Sequence, residues 1–258
     1  MFAHERSTFI RKLLRQRGRL TFEELKSQLG VSAATLRRDL TALAASGQAV
    51  RVHGGILDPV RLRGEMSFDE RTANRRPAKK AIGLMASSLV GSGDCVLVDA
   101  GSTCLEAALH LLGREDVTVV TNSLPLLEAG LHGRGRLICL GGELRRVSGA
   151  LTGAASLGAL ERLQGDFAFI GATGLSERSG ASTTELSEAA FKQALLQRAR
   201  RRVLLADASK WDQSSLVRFA DWADFTDFVT DRRPKARLPR HVRLHLVSSP
   251  AGKLARVA

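Results

Sequence analysis

The sequence predicts an α/β protein made of a small, basic helical head and a larger domain built on a mainly parallel sheet. Three observations predict this. Helix-start and helix-stop residues crowd together between Thr21 and Ser32. From Cys95 onward, short apolar β-branched runs alternate with stretches of helical period. The net charge of +13 is also unevenly spread: residues 1–57 carry ten Lys/Arg against four Asp/Glu, residues 77–194 ten against twelve, and residues 195–258 fourteen against six. With 258 residues, 44% of them apolar, the chain can bury one large core or two of ordinary size.

The head is assigned to residues 1–57. In ERSTFIRKLLRQR (5–17), Phe9, Ile10, Leu13 and Leu14 fall on one face at helical spacing, and Gly18 stops the helix. Thr21 with Glu24 three residues on is a capping box, so a second helix begins there and ends near Leu29. Gly30 supplies a left-handed turn residue, Val31 plugs the angle, and Ser32 is an N-cap for a third helix. Leu36, Leu40 and Leu43 then face the core, which leaves Thr35, Arg37 and Arg38 on or near the outer face of the first two turns.

Two helices joined by a glycine-containing turn make a helix-turn-helix, whose second helix enters the major groove of DNA. Arg reads guanine bidentately, and Thr contacts a thymine methyl or a phosphate. A plain helical hairpin with a solvated arginine face is the alternative. The basic charge weighs against it, as does QAVRVHGGILD, which reads as a wing hairpin offering Arg51 and His53 to the phosphate backbone. DNA-binding candidates are therefore Ser32, Thr35, Arg37, Arg38, Arg51 and His53.

Residues 58–76 lack periodicity and mix charges, so they read as a linker. Residues 77–258 form the second domain. Pro77 opens a helix over AKKAIGLMASSLV. Strand-like CVLVD, VTVVT, RLICL, DFAFI, RVLLAD and DFVTD follow, with STCLEAALHLL, SLPLLEAGL, AASLGALERL and ELSEAAFKQALLQRAR as the helices between them. Such alternation implies a sheet covered on both faces, with ligands bound at the carboxyl ends of its strands.

The strand ends carry the candidates for that ligand. They are Asp99, Gly101, Ser102 and Thr103; Thr121 and Asn122; Gly141, Gly142 and Arg145; Glu188 and Lys192 one helical turn apart; and Asp207 with Lys210. Glycine lets backbone N–H groups approach a ligand, and a helix N-terminus favours an anion. Hydroxyls, an amide and carboxylates bind sugar hydroxyls, while Arg145, Lys192 and Lys210 offset the charge of a phosphate.

Each has a plainer reading. Thr103 with Glu106 is itself a capping box, with Asp99 ordering the turn before it. Gly141-Gly142 reads as a turn, Glu188–Lys192 as a helix-surface pair, and Asp207–Lys210 as a loop salt bridge. Their joint placement at strand ends favours a polar, phosphate-binding cleft.

Several classes are disfavoured. The apolar runs are far shorter than the roughly 20 residues of a membrane span, and the charged N-terminus has no apolar h-region. A cytoplasmic protein without membrane contact is expected. Cys95, Cys104 and Cys139 show no ligand spacing, and His241 and His245 lie in strand-like HVRLHLV, so no metal or other cofactor is expected. The basic tail, RARRR and DRRPKARLPRHVR, reads as solvated surface in preference to a second polyanion contact.

With both halves read, the chain resembles the DeoR family of bacterial transcription regulators. The matching stretches are GVSAATLRRDL and RVHGG in the head, SFDER in the linker, and DAGST, VVTNS, LGGELR, FIGATGL, LLADASK and FVTD beyond it. The resemblance implies a winged helix-turn-helix that represses a carbohydrate-metabolism operon, and a second domain similar to sugar-phosphate isomerases that senses a phosphorylated sugar. It also implies a homo-oligomer, dimer or tetramer, on a double-stranded operator. Carried over by position, Ser32, Thr35, Arg37 and Arg38 belong to the recognition helix, and the strand-end residues named above to the effector cleft. Two departures stand out: Cys104 where a threonine is common, and Thr173 where an aspartate is frequent. The residues from Pro234 on lie largely outside the matching motifs.

An isomerase needs a general base and an acid at the substrate, and Asp99, Glu188 and Asp207 are available as such. The attached DNA-reading head favours sensing over catalysis. An activator of the same build and an isomerase-like enzyme are the alternatives.

Overall fold

The computed structural model describes residues 2–17, 19–52, 54–57, 65–234 and 237–248. Gly18 and His53, expected at the first helix stop and in the wing, lie outside the described residues, as do linker residues 58–64. The chain divides into two compact units, Met1–Arg71 and Thr72–Ala258.

The first unit begins with α1 (Ala3–Arg17), the short β1 (Arg19–Thr21), α2 (Phe22–Leu29) and α3 (Ala33–Ala45). The capping box forms as the sequence predicts: Glu24 N–H donates to Thr21 Oγ1 at 3.2 Å, and Thr21 N–H donates back to Glu24 Oε2 at 2.8 Å. Gly30 takes φ 60°, which costs little without a Cβ, and Ser32 caps α3 through the Thr35 N–H at 3.2 Å. Ile10, Leu14, Leu25, Leu36, Leu40 and Leu43 close one core, each contributing about 1.5–3 kcal/mol of burial. Phe9 departs from the expected face and is 38% exposed, because Ile10 and Leu14 already fill the contact with α3.

The wing is β2 (Val50–Val52) and β3 (Gly55–Leu57), antiparallel. β1 adds a third strand in the order β1-β3-β2, with Leu20 opposite Ile56 in the core. Three residues that end in the capping threonine itself show no strand period, so β1 was not legible. α4 (Phe68–Ala73), begun by a second capping box between Ser67 and Glu70, carries the chain into the second unit.

In the second unit, α5 (Arg76–Ser88) precedes a strictly parallel seven-stranded sheet. Its strands are β4 (Cys95–Val98), β5 (Thr118–Thr121), β6 (Arg136–Cys139), β9 (Gly165–Gly171), β12 (Ala199–Leu205), β14 (Asp227–Thr230) and β15 (Arg243–Leu246). The spatial order is β15-β14-β12-β9-β4-β5-β6. Side chains alternate cleanly between two cores. Val96, Val98, Val119, Phe167, Phe169, Val203 and Leu205 pack against α5, α6 (Ser102–Leu111) and Leu126 of α7 (Leu124–Gly130). Leu97, Val120, Ala168, Ile170 and Leu204 face α8 (Ala154–Leu160) and α9 (Leu186–Gln197). A period of two with both faces buried is why these strands read as continuous apolar runs.

Two features were not legible. A hairpin, β7 (Glu143–Arg145) and β8 (Ala150–Thr152), rises from the glycine-rich bend, and β10 (Gly174–Ser176), β11 (Gly180–Thr183) and β13 (Val217–Ala220) form a small antiparallel sheet. Both are made of short strands without the continuous apolar run that marks the main sheet. The expected last helix also ends early. Ala199 pairs with Gly165, so Arg200, Arg201 and Arg202 lie in β12. Their partners are acidic or backbone groups: Arg200 on Asp166, Arg201 forked onto Asp227 at 2.7 and 3.3 Å, and Arg202 Nε on the Asp224 carbonyl at 2.5 Å. Arg200 and Arg201 are thus ion-paired, and the Arg200 side chain stays 74% exposed.

Candidate functional site

On the first unit, the recognition helix α3 presents Arg37 and Arg38 exposed, with Ser32 exposed at its start and Thr35 half-buried. The hydroxyls of Ser32 and Thr35 lie 2.9 Å apart within the cap. The Arg37 guanidinium stacks over the Phe22 ring of α2, 5.6 Å from its centroid, which restricts a flexible side chain before any ligand arrives. Arg51, in the wing, is exposed and donates to Thr41 Oγ1 at 3.2 Å, so wing and recognition helix are tied on their basic side. Asp39 of α3 carries no functional signal in the sequence. It is buried, and Arg6 of α1 forks onto it at 2.8 and 3.2 Å, which sets how α3 sits on α1.

On the second unit, strand order reverses between β4 and β9. β5 and β6 extend the sheet to one side of β4, while β12, β14 and β15 extend it beyond β9. The carboxyl ends at such a point splay apart and leave a crevice. Asp99 ends β4 and is buried. Its Oδ2 accepts the Gly171 N–H of β9 at 3.1 Å and is bonded by Lys192 Nζ, which also donates to the Gly171 carbonyl at 3.1 Å. One lysine from α9 thus bridges the two strands that flank the crevice.

One turn earlier on α9, Glu188 is buried too. It accepts Arg145 Nη1 at 3.0 Å and the Thr183 hydroxyl at 3.3 Å. Glu188 and Lys192 are therefore buried groups with partners on other elements, and the reading as a helix-surface pair does not hold. The β7–β8 hairpin brings Arg145 there. It is anchored to the end of β5, where Asn122 Nδ2 donates to the Leu151 carbonyl at 2.9 Å and the Leu151 N–H returns to the Asn122 carbonyl at 2.7 Å. Asn122 Oδ1 is buried with no hydrogen-bond partner among the described residues. Gly142, at φ 117°, lets the bend pass Thr152 and Ser156, and a Cβ there would overlap the Ser156 hydroxyl.

The capping box that was the plainer reading of GSTCLE does not form. The N-cap of α6 is Gly101, with no side-chain cap, and Glu106 pairs instead with Arg76 at 3.5 Å. Ser102 and Thr103 are buried in the first turn. Cys104 lies beneath, with its thiol donating to the Phe169 carbonyl at 3.5 Å. Burial, reinforced by the charge of Asp99, pushes the Cys104 thiol well above its ordinary pKa, so it stays protonated and packs as a small hydrophobe. The Thr121 hydroxyl donates to the Val98 carbonyl at 2.8 Å and accepts the Ser123 N–H at 3.0 Å, closing the ends of β4 and β5.

Past β12, Asp207 caps a short 3-10 turn that carries Lys210, by accepting the Ser209 N–H at 2.9 Å. Its ionic partner is Arg75, at 3.1 Å, which also holds Asp231 past β14 at 2.8 Å. The structure thus joins Asp99, Lys192 and Gly171 in one cluster and Arg145, Glu188 and Thr183 in a second on the same helix, with Asp207 in a third. Thr183 and Arg75 were missed because neither stands directly after a main-sheet strand.

No helix among the described residues is long and apolar enough to cross a membrane. The DeoR-like helix-turn-helix domain family matches residues 6–58, and the DeoR C terminal sensor domain family matches residues 74–232. The chain is 35% identical to the uncharacterized HTH-type transcriptional regulator YgbI of Escherichia coli, over 90% of this chain and 91% of that one. It is 32% identical to the HTH-type transcriptional repressor GlcR of Bacillus subtilis, over 91% and 90%. It is 27% identical to the glycerol-3-phosphate regulon repressor of Escherichia coli, over 94% and 98%. Among solved structures, ribose 5-phosphate isomerase A of Methanocaldococcus jannaschii overlaps 54% of this chain and 55% of its own, at 19% identity and a TM-score of 0.40. A capped recognition helix with its wing stands in one chain with a sheet whose reversal point gathers buried charges, and the two family models together cover most of that chain: it belongs to the DeoR family of helix-turn-helix transcription regulators.

Proposed function

We propose that the protein is a cytoplasmic repressor that binds an operator through α3 and its wing and releases it when a phosphorylated sugar fills the crevice between β4 and β9. The observation that carries this reading is the buried Asp99–Lys192–Gly171 cluster at the sheet's reversal point, on the same chain as a basic recognition helix. The uncapped first turn of α6, with Gly101, Ser102 and Thr103, is suited to the phosphate. Asn122 Oδ1 is an acceptor in need of a donor, and a sugar hydroxyl supplies one. Asp99 and Glu188 accept further hydroxyls, Arg145, Lys192 and Lys210 balance charge, and Gly141, Gly142, Thr121 and Asp207 shape the surrounding loops.

We read the crevice as a sensor and not a catalyst. Both carboxylates already accept hydrogen bonds from a cation, which opposes their use as a general base. A coupling of about 1–3 kcal/mol between effector and DNA suffices for regulation. Relatives named as repressors, one of them of a glycerol-3-phosphate regulon, support the same reading. The working form is a dimer or tetramer, in keeping with a two-fold or repeated operator.

The test is fluorescence anisotropy of the protein on duplex DNA from its own upstream region, titrated in salt and repeated with ribose 5-phosphate, glycerol 3-phosphate and glucosamine 6-phosphate. Selective binding that one phosphate releases is the expected result. Turnover of a sugar phosphate at enzymatic rates without selective DNA binding would overturn it.

A further inference from the structure

We infer that Arg75 is the residue through which the loop bearing Lys210 acts on the segment leading to the DNA-binding unit. This rests on the sensor reading above. Arg75 is the fourth residue past the division between the two units and stands one before α5. It is one of two described non-glycine residues with a left-handed backbone, at φ 52° and ψ 33°. Such a conformation is unfavourable for an arginine and persists only where its surroundings impose it.

Two buried carboxylates impose it here. Arg75 Nε lies 3.1 Å from Asp207 Oδ1, and Arg75 Nη2 lies 2.8 Å from Asp231 Oδ2; the two carboxylate side chains are 2% and 5% exposed. Each acid is fixed by the backbone of the same loop: Asp231 Oδ1 accepts the Ala208 N–H at 2.7 Å, and Asp207 accepts the Ser209 N–H at 2.9 Å. Ala208, Ser209 and Lys210 are the 3-10 turn itself. A ligand that shifts this turn through Lys210 therefore acts on two amides bonded to the acids that grip Arg75.

The planar guanidinium holds both acids at once, which a point charge cannot do with the same geometry. Only Asn74 separates Arg75 from α4 (Phe68–Ala73), so a change in its grip passes along the covalent chain into the helix that leads out of the DNA-binding unit. Arg75 is a positioning residue for the response.

The experiment uses the full chain as wild type, Arg75→Gln and Arg75→Lys. Backbone amide exchange over 68–75, operator affinity and sugar-phosphate binding by calorimetry are measured, with ribose 5-phosphate, glycerol 3-phosphate and glucosamine 6-phosphate as probes. In Arg75→Gln, exchange over 68–75 is expected to rise at least ten-fold while α6 and α9 keep their protection. The phosphate that releases DNA from the wild type should still bind Arg75→Gln, yet shift its DNA affinity at least ten-fold less, with Arg75→Lys intermediate. A full DNA response in Arg75→Gln overturns the proposal and leaves the sensor reading intact. If no probe releases the wild type, the sensor reading fails for these phosphates, and exchange decides: unchanged protection over 68–75 in Arg75→Gln overturns the clamp, and a rise sustains it.

Discussion

Lys192 and Asp99 lie 93 residues apart in the chain and meet as a buried ion pair at the reversal point of the sheet. The pair joins the middle of α9 to the end of β4, and the second lysine bond to the Gly171 carbonyl adds β9. Removing one member leaves the other charge buried without a counter-ion, which costs far more than the pair contributes when intact. Lys192→Met should therefore lower stability to urea by about 3–5 kcal/mol. The Lys192→Met/Asp99→Asn double variant should recover part of that loss, and a strictly additive double variant would rule out the coupling.

Gly83 on α5 sets a second requirement. A Cβ there would lie 2.6 Å from the Glu106 carbonyl carbon and 2.7 Å from the Ala107 nitrogen, both backbone atoms of α6. Alanine would gain about 1 kcal/mol of helix propensity. Overpacking against rigid backbone costs about 1–3 kcal/mol, so the loss wins. Gly83→Ala should melt at a lower temperature than the wild type; a rise in Tm would show that α5 and α6 part without cost.

Asp227 is fully buried at the start of β14. Burial alone would raise its pKa, but hydrogen bonds from Arg201, His245 and Thr226, with the charge of Arg201, hold the carboxyl at about 2 against an ordinary 3.8. Because the folded value lies below the unfolded one, its contribution is complete above the unfolded pKa and fades as pH falls toward 2. The magnitude is about 2 kcal/mol. The stability gap between wild type and Asp227→Asn should therefore narrow by about that much between pH 6 and pH 2.5 in denaturant titrations. A gap constant with pH would contradict the assignment.

Arg37 and Arg38 are the exposed cations of the recognition helix. Each, changed to alanine, should weaken specific operator binding by about 1–3 kcal/mol if it reads a base, or reduce the salt slope by about one if it meets a phosphate. Anisotropy across a salt series separates the two. Unchanged affinity in both variants would remove α3 from the DNA interface.

The head was legible almost residue by residue because its signals are local. Thr21 with Glu24, Gly30 and Ser32 act within one helical turn, and Leu36, Leu40 and Leu43 mark the inner face by spacing alone. The six long strand runs were legible for the same reason: a fully buried parallel strand must be apolar on both sides. The small antiparallel strands β1, β7, β8, β10, β11 and β13 were not, since none carries the continuous apolar run of a buried parallel strand and each forms only where a partner is already in place.

The candidate crevice was legible as a list of strand-end residues but not as an arrangement. By itself the sequence determined the elements, the inner faces and the family motifs, all of which depend on neighbours within a few residues. Only the tertiary structure decided who partners whom: Lys192 with Asp99 instead of Glu188, Glu188 with Arg145, Glu106 with Arg76 in place of a cap, and Asp207 with Arg75. A buried charge takes the counter-ion that strand order and helix packing bring within about 3 Å, and spacing along the chain carries no information about that order.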